Sequence, residues 1–166
     1  LNKVLSIASS LVGTTMGSQG HLKLVADYNS VIPKPVGYTV TNNDDWCDVF
    51  VTTVFQRAGL SDLIGRECGV DRHIQIFKKK GIWNEDGTIT PKAGDIITFN
   101  WDQYSQPNDG FADHIGIVEK VENGIIYTIE GNTTPMNNSN AVRQVARKQY
   151  KVGHGNIRGF ASPKYI

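Results

Sequence analysis

Cysteine is scarce in this sequence, which has two, Cys47 and Cys68, among 166 residues. Two cysteines are too few for a disulfide framework, and their spacing matches no pattern of paired zinc ligands. A chain of this length buries a core of its own without metals or disulfides. We therefore expect a single domain over residues 1–166, with a bridge between the two thiols as the alternative to free cysteines.

An excess of charge of either sign is also lacking, because 17 Lys and Arg face 16 Asp and Glu, for a net charge of +1. Such a balance provides no large field to attract nucleic acid or anionic lipid. No apolar run approaches the ~20 residues of a membrane span, and no signal-peptide pattern opens the chain. We expect neither nucleic acid nor membrane as a partner. Since the sequence begins at Leu1, we expect a mature product or a piece of a longer protein.

Helical periodicity marks three segments in the first half of the sequence. Apolar residues recur at helical spacing over residues 1–12, 45–58 and 70–79, and each run ends at or just before a glycine. Between the first two lies a segment rich in Gly, Pro and Asn, Thr14 to Asn43, which we expect to be mostly loop.

The second half changes to the pattern of β-strands. Three segments rich in β-branched and aromatic residues, 94–101, 114–121 and 125–132, are bounded by turn residues, and "IRGFASPKYI" at the end predicts a fourth strand. Pro163 should confine the last part of that strand to a sheet edge. Helices followed by consecutive antiparallel strands are typical of an α+β domain, with N-terminal helices packed on an antiparallel β-sheet.

One hairpin decides which side chains share a face of this sheet, and its turn contains Asn123-Gly124. A two-residue loop would pair Glu122 with Ile125 and set His114 opposite Thr133. Because side chains alternate along a strand, Glu130 and Asn132 would then point to the opposite face of the sheet.

The competing register has a three-residue loop, followed by a bulge, and pairs Val121 with Ile125. It places His114, Glu130 and Asn132 on one surface, so that an imidazole, a carboxylate and an amide cluster. We favour this register, because a glycine stands where the bulge requires one.

Cys47 lies in the first turn of the predicted central helix, within "DDWCDVFVTTVF". A thiol attacks a carbonyl carbon as the thiolate, which a helix N-terminus and a nearby imidazolium both favour. The backbone N–H groups of the same turn could receive a tetrahedral oxyanion. His114 is the candidate base, and Glu130 or Asn132 could hold its other ring nitrogen.

Each of these residues also has a structural interpretation. A cysteine before Val49 and Phe50 is more often a packed core thiol than a nucleophile, and a histidine in an apolar strand usually satisfies a local hydrogen bond. Cys68 is expected to be a small buried hydrophobe. The remaining histidines, His21, His73 and His154, have no companions at metal-ligand spacing.

A group of three acidic residues surrounds the cysteine: Asp44, Asp45 and Asp48. It could bind a hard cation such as calcium, but it lacks a full alternating ligand loop, and favourable charge at a helix N-terminus explains it as well. We expect no cofactor and no metal site, with calcium as the alternative. Four aromatic residues are expected to contact substrate: Trp46, Trp101, Tyr104 and Phe111.

Four motifs in this order resemble the CHAP family, the cysteine- and histidine-dependent amidohydrolases and peptidases of bacterial and phage cell-wall lysis. They are "DDWCDVFV", "PKAGDIITF", "DHIGIVEKV" and "IYTIEGNT". The opening "VLSIASSLVG" and the closing "IRGFASPKY" extend the resemblance over nearly the whole chain. Some relatives carry a calcium loop ahead of the cysteine, and its ligand pattern is missing here.

The resemblance implies a papain-like fold that cleaves amide bonds in peptidoglycan. Matched residue by residue, Cys47 is the nucleophile, His114 the general base, Glu130 the group that orients it and Asn132 a further polar member. The bond cut would be the sugar-to-peptide amide or a peptide bond in the stem or crossbridge. We expect the chain to act outside the cell or in the wall, as a monomer or a module of a larger lysin.

Two other functions stay open. The chain could be a non-catalytic module of the same fold that binds wall peptides, or a thiol protease or transamidase that acts on proteins. Loss of wall lysis on removing the Cys47 thiol separates the hydrolase from the binding module. Cleavage of denatured casein would indicate the protease.

Overall fold

A computed structural model describes residues 1–166. Its helices lie in the first half of the chain. There are five α-helices: α1 Asn2–Ser10, α2 Gln19–Asn29, α3 Cys47–Arg57, α4 Ser61–Ile64 and α5 Val70–Lys79. A single 3-10 turn covers Pro35–Gly37. None of the helices has the length and apolar composition that crossing a membrane would require.

Six strands form one antiparallel sheet: β1 Trp83–Asn84, β2 Ile96–Phe99, β3 His114–Glu122, β4 Ile125–Thr133, β5 Gln144–Lys151 and β6 Ile157–Ala161. Their order across the sheet is β1-β6-β2-β3-β4-β5, and every neighbouring pair is antiparallel. The predicted α+β class is confirmed, as are α1, α3, α5 and the four predicted strands.

The segment predicted to be mostly loop, Thr14 to Asn43, contains helix α2, which that prediction missed. Ser18 caps this helix by accepting a hydrogen bond from the backbone N–H of His21. Leu24, Val25 and Tyr28 lie at helical spacing and are buried. The prolines that suggested loop come only after the helix, in the segment that carries the 3-10 turn.

Strand β5 was not predicted, because its sequence, "QVARKQYK", is highly charged. It lies at the edge of the sheet, where one side meets water, and charged residues are common on edge strands. Only Val145, Ala146 and Tyr150 of this strand are buried. β6 is not the edge strand that Pro163 suggested, because the two residues of β1 pair with it on its outer side.

The favoured hairpin register was wrong at the turn, where Glu122 pairs with Ile125 across a two-residue loop. Asn123 and Gly124 both have positive φ, 53° and 76°, as the twist of a two-residue hairpin requires. A bulge at Glu119 then shifts the pairing, so that Ile117 lies opposite Ile129. The distal half of the hairpin thus has the register that the three-residue loop would have set.

Helix α3 lies directly on the sheet, in contact with β3 and β4 as well as with α1, α2 and α4. Nine of its 11 residues are buried, which explains a sequence that is apolar on more than one face. Gly131 permits this close approach, because a Cβ there would lie 2.6 Å from the Cβ of Phe50. The first turn of α3 is therefore held over the end of β4.

Candidate active site

Cys47 is the first residue of α3, and its side chain is 5% exposed. It lines an open pocket of about 270 Å³ together with Phe111, Ala112 and Cys68. No side chain caps the helix, and the first helical hydrogen bond runs from the N–H of Phe50 to the carbonyl of Trp46. The N–H groups of the first turn are free donors beside the sulfur.

His114, the first residue of β3, joins this thiol to a carboxylate. Its Nε2 donates to Glu130 Oε1 over 2.7 Å, and the Cys47 side chain is near enough to the ring to raise the pKa of His114. Burial alone would lower the pKa of His114, but the neighbouring Cys47 and Glu130 side chains raise the pKa to about 10. Because Glu130 takes Nε2, Nδ1 is the nitrogen left for the thiol. The imidazole of His114 is thus charged at neutral pH.

Glu130 is fully buried and accepts three hydrogen bonds. Besides the bond from His114, its Oε2 accepts from Thr128 Oγ1 at 2.6 Å and from the Tyr150 hydroxyl at 2.8 Å. Burial and the charge of Glu130 raise the pKa of Tyr150, so the phenol keeps its proton and remains a donor. Gly116 makes the room, since a Cβ there would lie 2.6 Å from Glu130 Cγ. The carboxylate is fixed in one orientation.

Asn132 lies near the others in sequence but points elsewhere. Its Nδ2 donates to Asp45 Oδ1 over 3.3 Å, not to His114, and its backbone has a positive φ of 53°. Of the two residues proposed to hold the histidine, Glu130 makes the contact. Asn132 instead links the end of β4 to the segment ahead of α3, and its catalytic role stays a prediction.

The acidic residues around Cys47 do not converge. Asp44 accepts from the Tyr38 hydroxyl and from the N–H of Thr41, both at 2.7 Å. Asp48, fully buried, binds His73 Nδ1 at 2.8 Å. Because these carboxylates have partners of their own, they do not present unpaired charge to the sulfur.

His73 completes a buried pair with Asp48 beneath the first turn of α3. Its Nε2 donates to the Ile64 carbonyl at 2.9 Å, so both ring nitrogens are engaged. Burial disfavours the charged form of each side chain, and it raises the pKa of Asp48. Burial alone would lower the pKa of His73, but the charge and the hydrogen bond of Asp48 outweigh it and raise that pKa. The hydrogen bond between Asp48 and His73 therefore joins the first turn of α3 to α5.

No group of three or more His, Cys, Asp and Glu side chains is placed to hold a metal ion. The three aspartates considered for calcium are directed to three different partners: Tyr38, Asn132 and His73. The three carboxylates therefore do not form one ligand set for a hard cation.

The four aromatic residues expected to contact substrate divide into two groups. Trp46 is 0% exposed and packs against His21, so the prediction that it contacts substrate is wrong. It belongs to the core because it precedes a helix that is buried on both sides. Trp101, Tyr104 and Phe111 are 45%, 74% and 71% exposed. These three are available to a ligand.

Trp101 and Phe111 stand near the reactive groups, and Tyr104 lies farther along. The Trp101 ring is 5.7 Å from that of His114, centroid to centroid, and Phe111 lines the Cys47 pocket. Tyr104 stacks on His154 at 5.0 Å. Trp101 and Phe111 thus line the two pockets on either side of Cys47 and His114.

The loop between β2 and β3 that carries these aromatics is fixed by side-chain amides. Asn108 donates to the carbonyls of Gln103 and Gly155, and Asn156 donates to those of Asn100 and Gln103. Asn100 in turn donates to Asn108. The loop is thereby tied to the connection between β5 and β6, which keeps Trp101 beside His114.

Sequence reasoning missed the residues that support Glu130 and α3. Tyr150 lies on the unpredicted strand β5, so nothing placed it near the site. Thr128 stands two residues before Glu130 and shares its face by strand alternation, which was a usable indication. His73 could not be paired with Asp48 from the sequence, because the contact joins two helices 25 residues apart.

Cys68 does not form a bridge, since both cysteines are free. It is partly buried, and burial raises the pKa of its thiol. Arg72 Nη2 lies 3.7 Å from its sulfur. The prediction of a small buried hydrophobe is only partly right, because this thiol also lines the Cys47 pocket.

Comparison with known proteins identifies one family. The model of the CHAP domain matches residues 37–132, more than half of the chain. Two solved structures are similar: "The crystal structure of Ly7917 with the hydrolyzing product of MDP", at 15% identity and TM-score 0.48, and "The crystal structure of Ly7917", at 16% and 0.46. Each alignment covers 98% of this chain and 62% of that chain. No curated protein matches the sequence.

Proposed function

This chain belongs to the CHAP family, and from that premise we propose that it is a peptidoglycan hydrolase that cleaves an amide bond through Cys47. One observation carries the proposal: the imidazole of His114 is held through Nε2 by the buried Glu130, and the Cys47 side chain at the start of α3 is near enough to the ring to raise the pKa of His114. A core cysteine and a structural histidine would not require this arrangement. It is the constellation of nucleophile, base and orienting group that acyl transfer uses.

The first half-reaction forms a thioester. The Cys47 thiolate attacks the amide carbon, and the carbonyl oxygen takes up the electron pair as an oxyanion near the free N–H groups of the first turn of α3. The imidazolium of His114 donates its proton to the nitrogen as the C–N bond breaks. The amine leaves and the acyl group stays on sulfur.

The second half-reaction releases the acid. His114, now neutral, takes a proton from a water molecule that attacks the thioester carbon. The C–S bond breaks, and the thiolate and imidazolium form again. Glu130 keeps the ring in one orientation throughout, because its two oxygens are fixed by His114, Thr128 and Tyr150. A substrate of this kind places the protein at the bacterial wall.

The test compares native protein with Cys47→Ala on purified Gram-positive cell walls. We expect the native protein to lower the turbidity of the suspension and to release new amino groups. The variant should lose activity by a factor of about 10³ or more, since removing a nucleophile leaves only binding and the oxyanion site. Equal clearing by both proteins, or binding of both without clearing, would refute the hydrolase.

Cys68→Ser is the matched control, because it removes the other thiol of the same pocket. It should retain native activity, which ties the loss in Cys47→Ala to one sulfur. Denatured casein serves as the second substrate, and its cleavage at a rate similar to that on walls would favour a general thiol protease instead.

A further inference from the structure

A second open pocket, of about 400 Å³, borders the site on the histidine side. His114 and Trp101 line it, and Cys47 does not. Three further lining residues are basic: Arg143, Lys148 and His154. No Asp or Glu lines this pocket, although the chain as a whole carries nearly equal numbers of acidic and basic residues.

Neither strong cation of this pocket is neutralised. Arg143 Nη1 donates to the backbone carbonyl of Asn132 at 3.2 Å, and Lys148 Nζ donates to that of Thr134 at 2.9 Å. These acceptors are neutral, and no salt bridge involves either side chain. Each bond fixes one end of the cation while other N–H groups remain free. The pocket is thus lined with charged donors that have no anion.

The opposite pocket, on the Cys47 side, differs in charge. Asp45, Asp71 and Asp113 line it, with Arg72 as its one basic residue. The two sides of the thiol–imidazole pair therefore favour substrate groups of different charge. Because the net charge of the whole chain is only +1, this difference in charge is a property of the two pockets and not of the molecule as a whole.

The chemistry of the proposed reaction assigns a side to each half of the substrate. The acyl group becomes bonded to sulfur, so it lies toward the Cys47 pocket. The imidazolium gives its proton to the leaving nitrogen, so the amine half lies toward the pocket that His114 lines. An anionic group bound in the pocket that His114 lines would therefore belong to the amine half of the substrate, which leaves first.

We propose that the pocket formed by Arg143, Lys148 and Trp101 binds a carboxylate on the leaving-amine half of the substrate. The inference rests on the proposed function, because it takes its direction from the two half-reactions. A carboxylate accepts charge-assisted hydrogen bonds from both cations, and the Trp101 ring provides an apolar wall beside them. Wall peptides that carry a free carboxylate on the amine side of the cleaved bond are then the preferred substrates.

The test uses soluble muropeptides in two forms, untreated and with their carboxylates converted to methylamides. For native protein, kcat/KM should be at least about tenfold higher on the untreated form, as the loss of a charge-assisted pair predicts. In the double variant Arg143→Gln, Lys148→Gln, the ratio of the two rates should fall to near one. Because the ratio is the readout, partial unfolding of the variant does not change it.

Lys151→Gln is the control, since it removes a positive charge from the end of β5 outside the pocket, and it should keep the native ratio. A native ratio near one, or a double variant that keeps the native ratio, would overturn the carboxylate pocket while leaving the hydrolase intact. If untreated walls with phosphodiester polymers are preferred over stripped walls, but muropeptides show no preference, the anion is a phosphate and the inference is wrong. Failure of native protein to cleave either form would remove both the inference and the proposed function.

Discussion

At the scale of single residues, the central relation is the one between His114 and the two groups that hold it. Burial of an imidazole by itself favours the neutral ring, yet here the pKa of His114 is raised to about 10 by Cys47 and Glu130. A raised pKa means that the proton is present at neutral pH and is lost only as the pH rises through that value. The ring can therefore act as the acid that releases the amine.

Glu130→Gln should shift this titration. The amide keeps most of the shape but removes the negative charge, so the pKa of His114 should fall. The alkaline limb of kcat/KM on soluble muropeptides, expected near pH 10 in native protein, should move to lower pH, and activity at neutral pH should fall partially.

Glu122→Gln provides the control, because Glu122 is an exposed residue of the same hairpin. It should leave both the limb and the rate unchanged. An unaltered alkaline limb in Glu130→Gln, with native rates, would remove Glu130 from the mechanism.

At the scale of elements, the site depends on how closely α3 approaches β4. Cys47 and Glu130 belong to different elements, and each was located by its own local pattern: a helical stripe with a cysteine in its first turn, and a strand ending in "IEGN". Gly131 sits between them, where any side chain would meet Phe50 and Trp46. The absence of a side chain at Gly131 therefore allows α3 to pack this closely on β4.

Gly131→Ala should separate the helix from the strand. The added Cβ would lie 2.6 Å from Phe50 Cβ and 3.3 Å from a Trp46 ring atom, so α3 must shift. We expect a loss of about 1–3 kcal/mol in the free energy of unfolding, as overpacked cores show, measured by urea denaturation. Activity of the folded fraction should fall as well, because the thiol moves with the helix. Native activity in a folded variant would show that this contact does not position Cys47.

The same elements show what the sequence could and could not predict. The three predicted helices and four strands followed from periodicity, because each carries a continuous apolar face. Val118 and Glu119 interrupt the alternation of apolar and polar residues along β3, which is consistent with the bulge at Glu119. The sequence pattern alone does not decide between a bulge there and one at the turn. Strand β5 was missed because its pattern is mostly polar, and with it the Tyr150 hydroxyl that holds Glu130.

Contacts between distant segments were the least predictable. The pairing of Asp48 with His73 depends on the placement of α5 against α3, and no local pattern encodes it. The burial of Trp46 is similar, since its position beside Cys47 suggested a role in binding. Both follow from tertiary packing and not from the residue types.

At the scale of the whole molecule, helices and sheet share one core. A single cluster of 26 buried residues includes members of α1, α2, α3 and α5 and of strands β2 to β6. No segment of the chain has a comparable core that excludes the others; the second cluster, of seven residues, lies within the sheet and its connections. Helical and sheet halves should therefore not be stable apart.

We expect a single cooperative unfolding transition for residues 1–166. Thermal or urea curves followed by far-ultraviolet circular dichroism, which reports secondary structure, should coincide with those from tryptophan fluorescence, which reports packing. Two separated transitions would contradict the single-domain prediction and would divide the helices from the sheet.

The most direct test of the thiol–imidazole pair is the rate at which each cysteine is alkylated. Exposure alone predicts that the partly buried Cys68 reacts with iodoacetamide faster than Cys47, which is 5% exposed. Activation by His114 predicts the reverse at neutral pH, because the thiolate is the reacting form. Mass spectrometry of digested protein should find Cys47 modified first in the native chain, and this preference should be lost in His114→Ala. If Cys68 reacts first, or if His114→Ala leaves the rate at Cys47 unchanged, the three segments do not form a reactive site.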